Sequence, residues 1–140
     1  MFEIKRSYFI AIGSLGLAGL LFLAGCTGQR HDMKATGAMP GASGQVMISK
    51  DNLNNTIVEI KAQNLAALDK DKEGAHYVAW AQFQNESTKL GNLNLTGGEG
   101  RLISKTQFKQ FEVLITSEDL SSVTKPASKA ILRTAAIVLD

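Results

Sequence analysis

The chain is poor in the residues on which most enzymes and metal sites are built. It has one cysteine, Cys26, which excludes an internal disulfide framework and any zinc site made from several cysteines. It has two histidines, His31 and His76, which leave almost nothing for a His-based metal centre, and His76, alone in the later part of the chain, lacks partners for a triad. Charge of one sign is also missing: 15 Lys and Arg stand against 13 Asp and Glu, for a net +2. Without a basic run, that balance argues against a nucleic-acid partner. The 140 residues allow one domain of ordinary size. Mean hydropathy is near zero, but it averages two unlike parts.

The first part is an export signal. Lys5 and Arg6 form a basic start, residues 8–23 carry no charge, and Leu23-Ala24-Gly25 leads to Cys26. A basic segment, an apolar segment and small residues before a cut site describe a secretory leader, and the positive end is expected to remain cytoplasmic. The same stretch also reads as an uncleaved helix, near the lower length for crossing a bilayer. Four glycines (13, 16, 19 and 25) weaken it as a packed helix.

Leu23-Ala24-Gly25-Cys26 resembles the lipobox of bacterial lipoproteins. The resemblance implies that the Cys26 thiol carries diacylglycerol, that signal peptidase II cuts before it, and that an acyl chain such as palmitate caps the new amine. No cofactor beyond this covalent lipid is expected. Residues 1–25 are then a discarded signal peptide, and the rest is held outside the cytoplasm on a membrane. Two or more acyl chains give stable attachment, since each buried methylene adds about 0.8 kcal/mol. Thr27 is not the aspartate that retains enteric lipoproteins at the inner membrane. In a cell with two membranes the outer one is therefore expected, with the domain facing the periplasm.

Residues 26–45 read as the lipidated cysteine followed by a flexible linker. Gly28, Gly37, Gly41, Gly44 and Pro40 are spread among small and polar residues without an apolar period. Nineteen such residues have a root-mean-square span of roughly 25 Å. His31 and Asp32 are expected to be solvated here. Removing Lys5, Arg6 and Glu3 with the signal leaves 13 cations and 12 anions.

Residues 46–140 read as one β-rich domain. In 56–63, Val58, Ile60 and Ala62 alternate with Glu59, Lys61 and Gln63. Residues 75–84 are apolar on both faces, as a central strand requires. Strands are also expected over 90–95, 101–104, 111–116 and 130–139, with a hairpin turn at Gly97-Gly98-Glu99-Gly100 and a loop at 117–129 around Pro126. Short strands separated by turns predict an all-β antiparallel sandwich.

Tyr77-Val78-Ala79-Trp80, Leu90-Gly91, Gly98-Glu99-Gly100, the run 111–118 ending Thr116-Ser117-Glu118, and Pro126 stand in the order seen in the C-terminal domains of anti-sigma-K factors. The chain resembles that family over 56–140, which implies a small immunoglobulin-like β-sandwich outside the cytoplasm. With seven residues ahead of its apolar segment, the chain is not expected to capture a sigma factor itself. The expectation is a non-enzymatic envelope module acting on an unknown protein partner or as a structural element. Tyr77, Trp80 and Glu118 offer an interaction surface, since aromatics anchor interfaces, although in a core strand the two aromatics also read as packing. Glu118 also reads as a tie between the 117–129 loop and the sheet. An alternative is a small-ligand or glycan-binding lipoprotein using loops 85–89 and 117–129, which predicts a concave site at one end of the sandwich. A hydrolase is disfavoured, because no base is placed beside Ser117, Ser121 or Ser122.

Asp69-Lys70-Asp71-Lys72-Glu73-Gly74 resembles the opening of a calcium loop. Its twelfth position is Trp80 rather than an acid, so no metal is expected.

Overall fold

The computed structural model describes residues 28–67, 76–119 and 122–140. The signal 1–25, the lipobox residues, Cys26 and the 69–74 segment lie outside the described residues.

The described chain is all β, and every strand pairing is antiparallel. The strands are β1 (Gln29–Ala35), β2 (Ser43–Lys50), β3 (Thr56–Gln63), β4 (His76–Phe83), β5 (Glu86–Asn92), β6 (Asn94–Thr96), β7 (Glu99–Thr106), β8 (Gln110–Glu118), β9 (Ala130–Thr134) and β10 (Ile137–Val138). They lie in the order β5-β4-β8-β9-β1-β2-β3-β7-β6, with β10 continuing beyond β9 along β8.

This sheet curls until its two edges nearly meet. Residues 86–96 form one bent stretch whose first half, β5, pairs with β4 and whose second half, β6, pairs with β7. The Ser104 hydroxyl donates to the Leu90 carbonyl across the seam (2.8 Å). Gly91 permits the bend: its φ of +149° is closed to side-chain-bearing residues, and a Cβ there would lie 3.1 Å from Leu102. Beside Gly91, Leu90 is the extra residue between the pairs Ala79–Gly91 and Trp80–Lys89, a bulge that bends β5 further.

Alternation decides what lies inside. Val46, Ile48, Val58, Ile60 and Ala62 from β2 and β3 face Tyr77, Ala79, Ala81, Phe111, Val113 and Ile115 from β4 and β8. Val78, Trp80 and Leu114 point to the other face, where Val123 and Ala130 cover them. The central strand expected over 75–84 is therefore β4, buried on both sides.

Two expectations change. Residues 29–45 are not a free tether: β1 sits between β2 and β9, with Met33 buried, and β2 begins at Ser43. Gly28, Gly37, Gly41, Gly44 and Pro40 hid a strand whose buried position is filled by a single methionine. Isolated polar composition cannot reveal such a strand, because its pairing partners are distant in sequence. The last strand also breaks. Ile131 and Leu132 are both buried because β9 shifts register against β8, and residues 135–136 interrupt the ladder before Ile137 returns to the core. The hairpin at Gly97-Gly98 is present, with Gly97 at φ +63° and Thr96 opposite Glu99. Glu99 and Gly100 belong to β7 rather than to the turn.

Candidate binding groove

The three residues expected to form an interaction surface are all inside. Trp80 is 0 % exposed, Tyr77 2 % and Glu118 2 %. The Trp80 indole N–H donates to Thr116 Oγ1 (2.9 Å), and the Thr116 hydroxyl donates to Glu118 Oε1 (2.7 Å). The same oxygen accepts the backbone N–H groups of Ala127 (3.0 Å) and Ser128 (3.3 Å). Glu118 thus ties the 122–129 loop to the sheet, as its position beside that loop suggested. Tyr77 donates its hydroxyl to the Ala66 carbonyl (2.6 Å) and fixes the segment after β3; burial pushes its phenol pKa up. Docking is closed to all three, because their polar atoms are spent on internal bonds and their apolar surface is covered.

What this wiring builds is a concavity. The tied loop stands on the outer face of β4 and β8, over Trp80, and leaves the rest of that face open. A groove of about 890 Å³ results, with Gln82, Leu114 and Thr116 along the sheet. One wall is the β4–β5 hairpin, Asn85 to Thr88, and the other is Lys125 to Ala130. Thr36 and Arg133 complete it. The Thr36 hydroxyl, just past the end of β1, donates to the Ala130 carbonyl (2.6 Å), so the segment expected to be linker helps to hold the wall. A second recess of about 460 Å³ shares Gln82 and Arg133 and extends toward Gln84 and Ala136.

The groove's chemistry is amide, hydroxyl and cation. Lys125 and Lys129 are exposed and make no ion pair among the described residues; Arg133 lies 3.7 Å from Glu112. Glu86 is the acid in the lining. The β4–β5 turn carries backbone strain at the groove's edge, with Gln84 held at φ +55°. No histidine enters the lining: His76 starts β4 opposite Glu118, and His31 lies on β1 with its ring near Gln29.

Of the expected site segments, Asn85 to Thr88, which is largely strand β5 rather than loop, and Lys125 to Lys129 share the groove, while Tyr77 and Trp80 are kept out. Arg133 and Thr36 were not foreseen. Arg133 alternates out of an apolar strand and was visible as an outward cation, but nothing local ties it to residue 85. No protein-family model, curated protein or solved structure matches the chain.

Proposed function

We propose that the chain is an exported lipoprotein, acylated on Cys26, whose β-domain binds a polar, acid-bearing ligand in the groove between the β4–β5 hairpin and the 125–130 wall. The anchor reading rests on the basic start, the uncharged segment 8–23 and the lipobox-like Leu23-Ala24-Gly25-Cys26. The order of motifs shared with anti-sigma-K C-terminal domains supports an extracytoplasmic sandwich without supplying a partner.

The observation that carries the binding reading is the groove itself. It joins two segments far apart in sequence, one of them wired to the sheet through Glu118. Its cations favour a ligand with carboxylate, phosphate or sulfate groups. Its hydroxyls and amides suit a ligand rich in hydroxyls, and no aromatic lines it for sugar stacking. In this reading the lining's hydroxyls and amides serve as ligand contacts.

The test is a titration of the detergent-extracted full chain with a uronic-acid oligosaccharide, beside a neutral oligosaccharide of equal length. Binding is expected for the acid form, weakened about tenfold in Lys125→Ala/Lys129→Ala, at roughly 0.7 kcal/mol per rim charge. Equal binding of both sugars, or no effect of the double variant, overturns the reading.

A further inference from the structure

The position of β1 changes where the domain must sit. This inference rests on acylation of Cys26. Three residue steps separate Cys26 from Gln29, the first residue of β1. Fully extended, they reach about 10 Å. The headgroup layer on one side of a bilayer is roughly 5–8 Å deep. A domain fixed that closely cannot stand off the membrane on a 25 Å tether; the end of the barrel where β1 starts has to meet the headgroups.

The strand register says what is at that end. Gln29 lies opposite Ile48, near the close of β2. Lys50 pairs with Thr56 and Thr56 with Thr106, so the 51–55 loop and the 107–109 connection share this end. Gln110 pairs with Val138, and the Leu139 N–H donates to the Lys109 carbonyl (2.8 Å), which brings the C-terminal segment there too.

Two of the four large apolar side chains exposed among the described residues are at this end: Leu53, 81 % exposed, and Val138, 61 %. Leu53 is presented rather than left loose. Asp51 Oδ1 accepts the N–H groups of Leu53 and Asn55 (2.9 Å each), its Oδ2 accepts Lys105 Nζ (3.2 Å), and Asn54 turns the chain at φ +65°. A loop braced by four residues around one solvent-facing leucine is suited to an apolar surface. Lys50 adjoins this loop and Lys109 lies in the 107–109 connection at the same end, both exposed and without an ion pair among the described residues, where anionic headgroups would lie.

We infer that this end of the barrel is a membrane-docking surface, with Leu53 and Val138 seated among the headgroups of the bilayer that holds the Cys26 lipid. The domain then stands upright. Eight-residue strands of about 3.3 Å per residue carry the opposite end, with Ala38 and Gly97, roughly 25 Å away from the lipid. The groove opens sideways along the outer face of β4 and β8.

The experiment uses the full chain, matured in an export-competent bacterium and reconstituted into vesicles of phosphatidylethanolamine and phosphatidylglycerol. Acylation consumes Cys26, so Leu53→Cys, Ala38→Cys and Ile103→Cys each offer one thiol for an environment-sensitive dye. Ile103 is 69 % exposed on the barrel side and tests side-on docking. The expected result is a blue-shifted Leu53→Cys signal, quenched by nitroxide-labelled headgroups and shielded from aqueous iodide, with the other two open to iodide. Acylated protein whose Leu53→Cys dye is as open to iodide as that at Ala38→Cys overturns the orientation alone, as does insertion of the dye at Ile103→Cys. Protein recovered without acyl mass overturns the anchor and the docking with it.

Discussion

Replacing Glu118 by alanine should unfasten the groove wall and cost a large share of the domain's stability. In the native protein Oε1 accepts three bonds, from the Thr116 hydroxyl (2.7 Å) and from the N–H groups of Ala127 (3.0 Å) and Ser128 (3.3 Å). The Ser128 hydroxyl adds a long contact to Oε2 (3.4 Å). Each such bond contributes about 0.5–1.5 kcal/mol net, and a buried donor left without its acceptor costs about 1–3 kcal/mol. The expected loss is about 3–5 kcal/mol, within a total stability of order 5–15 kcal/mol. Glu118→Gln keeps one acceptor oxygen and replaces the other by an amide, and should lose about 1–2 kcal/mol. Thr116→Val removes the middle of the chain and strands the buried indole N–H of Trp80, again at about 1–3 kcal/mol. Urea unfolding followed by the fluorescence of the single tryptophan reads all three variants. Because they act on one network, Thr116→Val/Glu118→Gln should cost less than the two losses together, with a coupling of at least about 0.5 kcal/mol. An alanine variant within 1 kcal/mol of wild type, or strictly additive losses, would refute the reasoning that Glu118 holds the loop.

Other perturbations have defined signs. Gln84→Gly should stabilise the protein by about 0.5–1 kcal/mol, since a side chain at φ +55° costs more than the backbone freedom glycine brings; a lower melting temperature would contradict this. Gly100→Ala should destabilise by about 1–3 kcal/mol, because its Cβ would stand 3.0 Å from Leu93 Cδ1 and 3.1 Å from Leu65 Cδ1; unchanged thermal unfolding would show that those side chains yield freely. Bonds from Asn55, then from Lys105 and Leu53, hold the Asp51 carboxyl at about 2, below its ordinary 3.8. A depressed acid stabilises the fold above its unfolded pKa and loses that contribution as pH falls through the folded one. The bracing of the 51–55 loop should therefore be complete above about pH 4 and fade toward pH 2. NMR titration of the Asp51 carboxyl checks it, and a midpoint near 4 would contradict the observed geometry.

How far these features were legible in the sequence depended on how local their cause is. The alternation in 56–63, the two apolar faces of β4 and the Gly97-Gly98 turn are written in consecutive residues, and each appears where expected. The tie from Glu118 to its loop was also readable, because donor and acceptor lie within ten residues. β1 was not, since it presents Met33 as its one buried residue and owes its place to β2 and β9, the latter a hundred residues away. The same distance hid Thr36 and Arg133 from the groove. Tyr77 and Trp80 misled in a specific way. Aromatic residues serve interfaces and cores alike, and whether a loop covers the outer face of β4 is settled by Val123 and Ala130, not by the Tyr-x-x-Trp pattern.

The proposed acylation of Cys26 is the central claim, since with it the three residue steps to β1 set the distance of the domain from the bilayer. Intact-mass and N-terminal analysis of protein extracted from membranes addresses it directly. The predicted product begins at Cys26 and carries the mass of a diacylglyceryl group with an added acyl chain. A product that begins at Met1 with no added mass would contradict it.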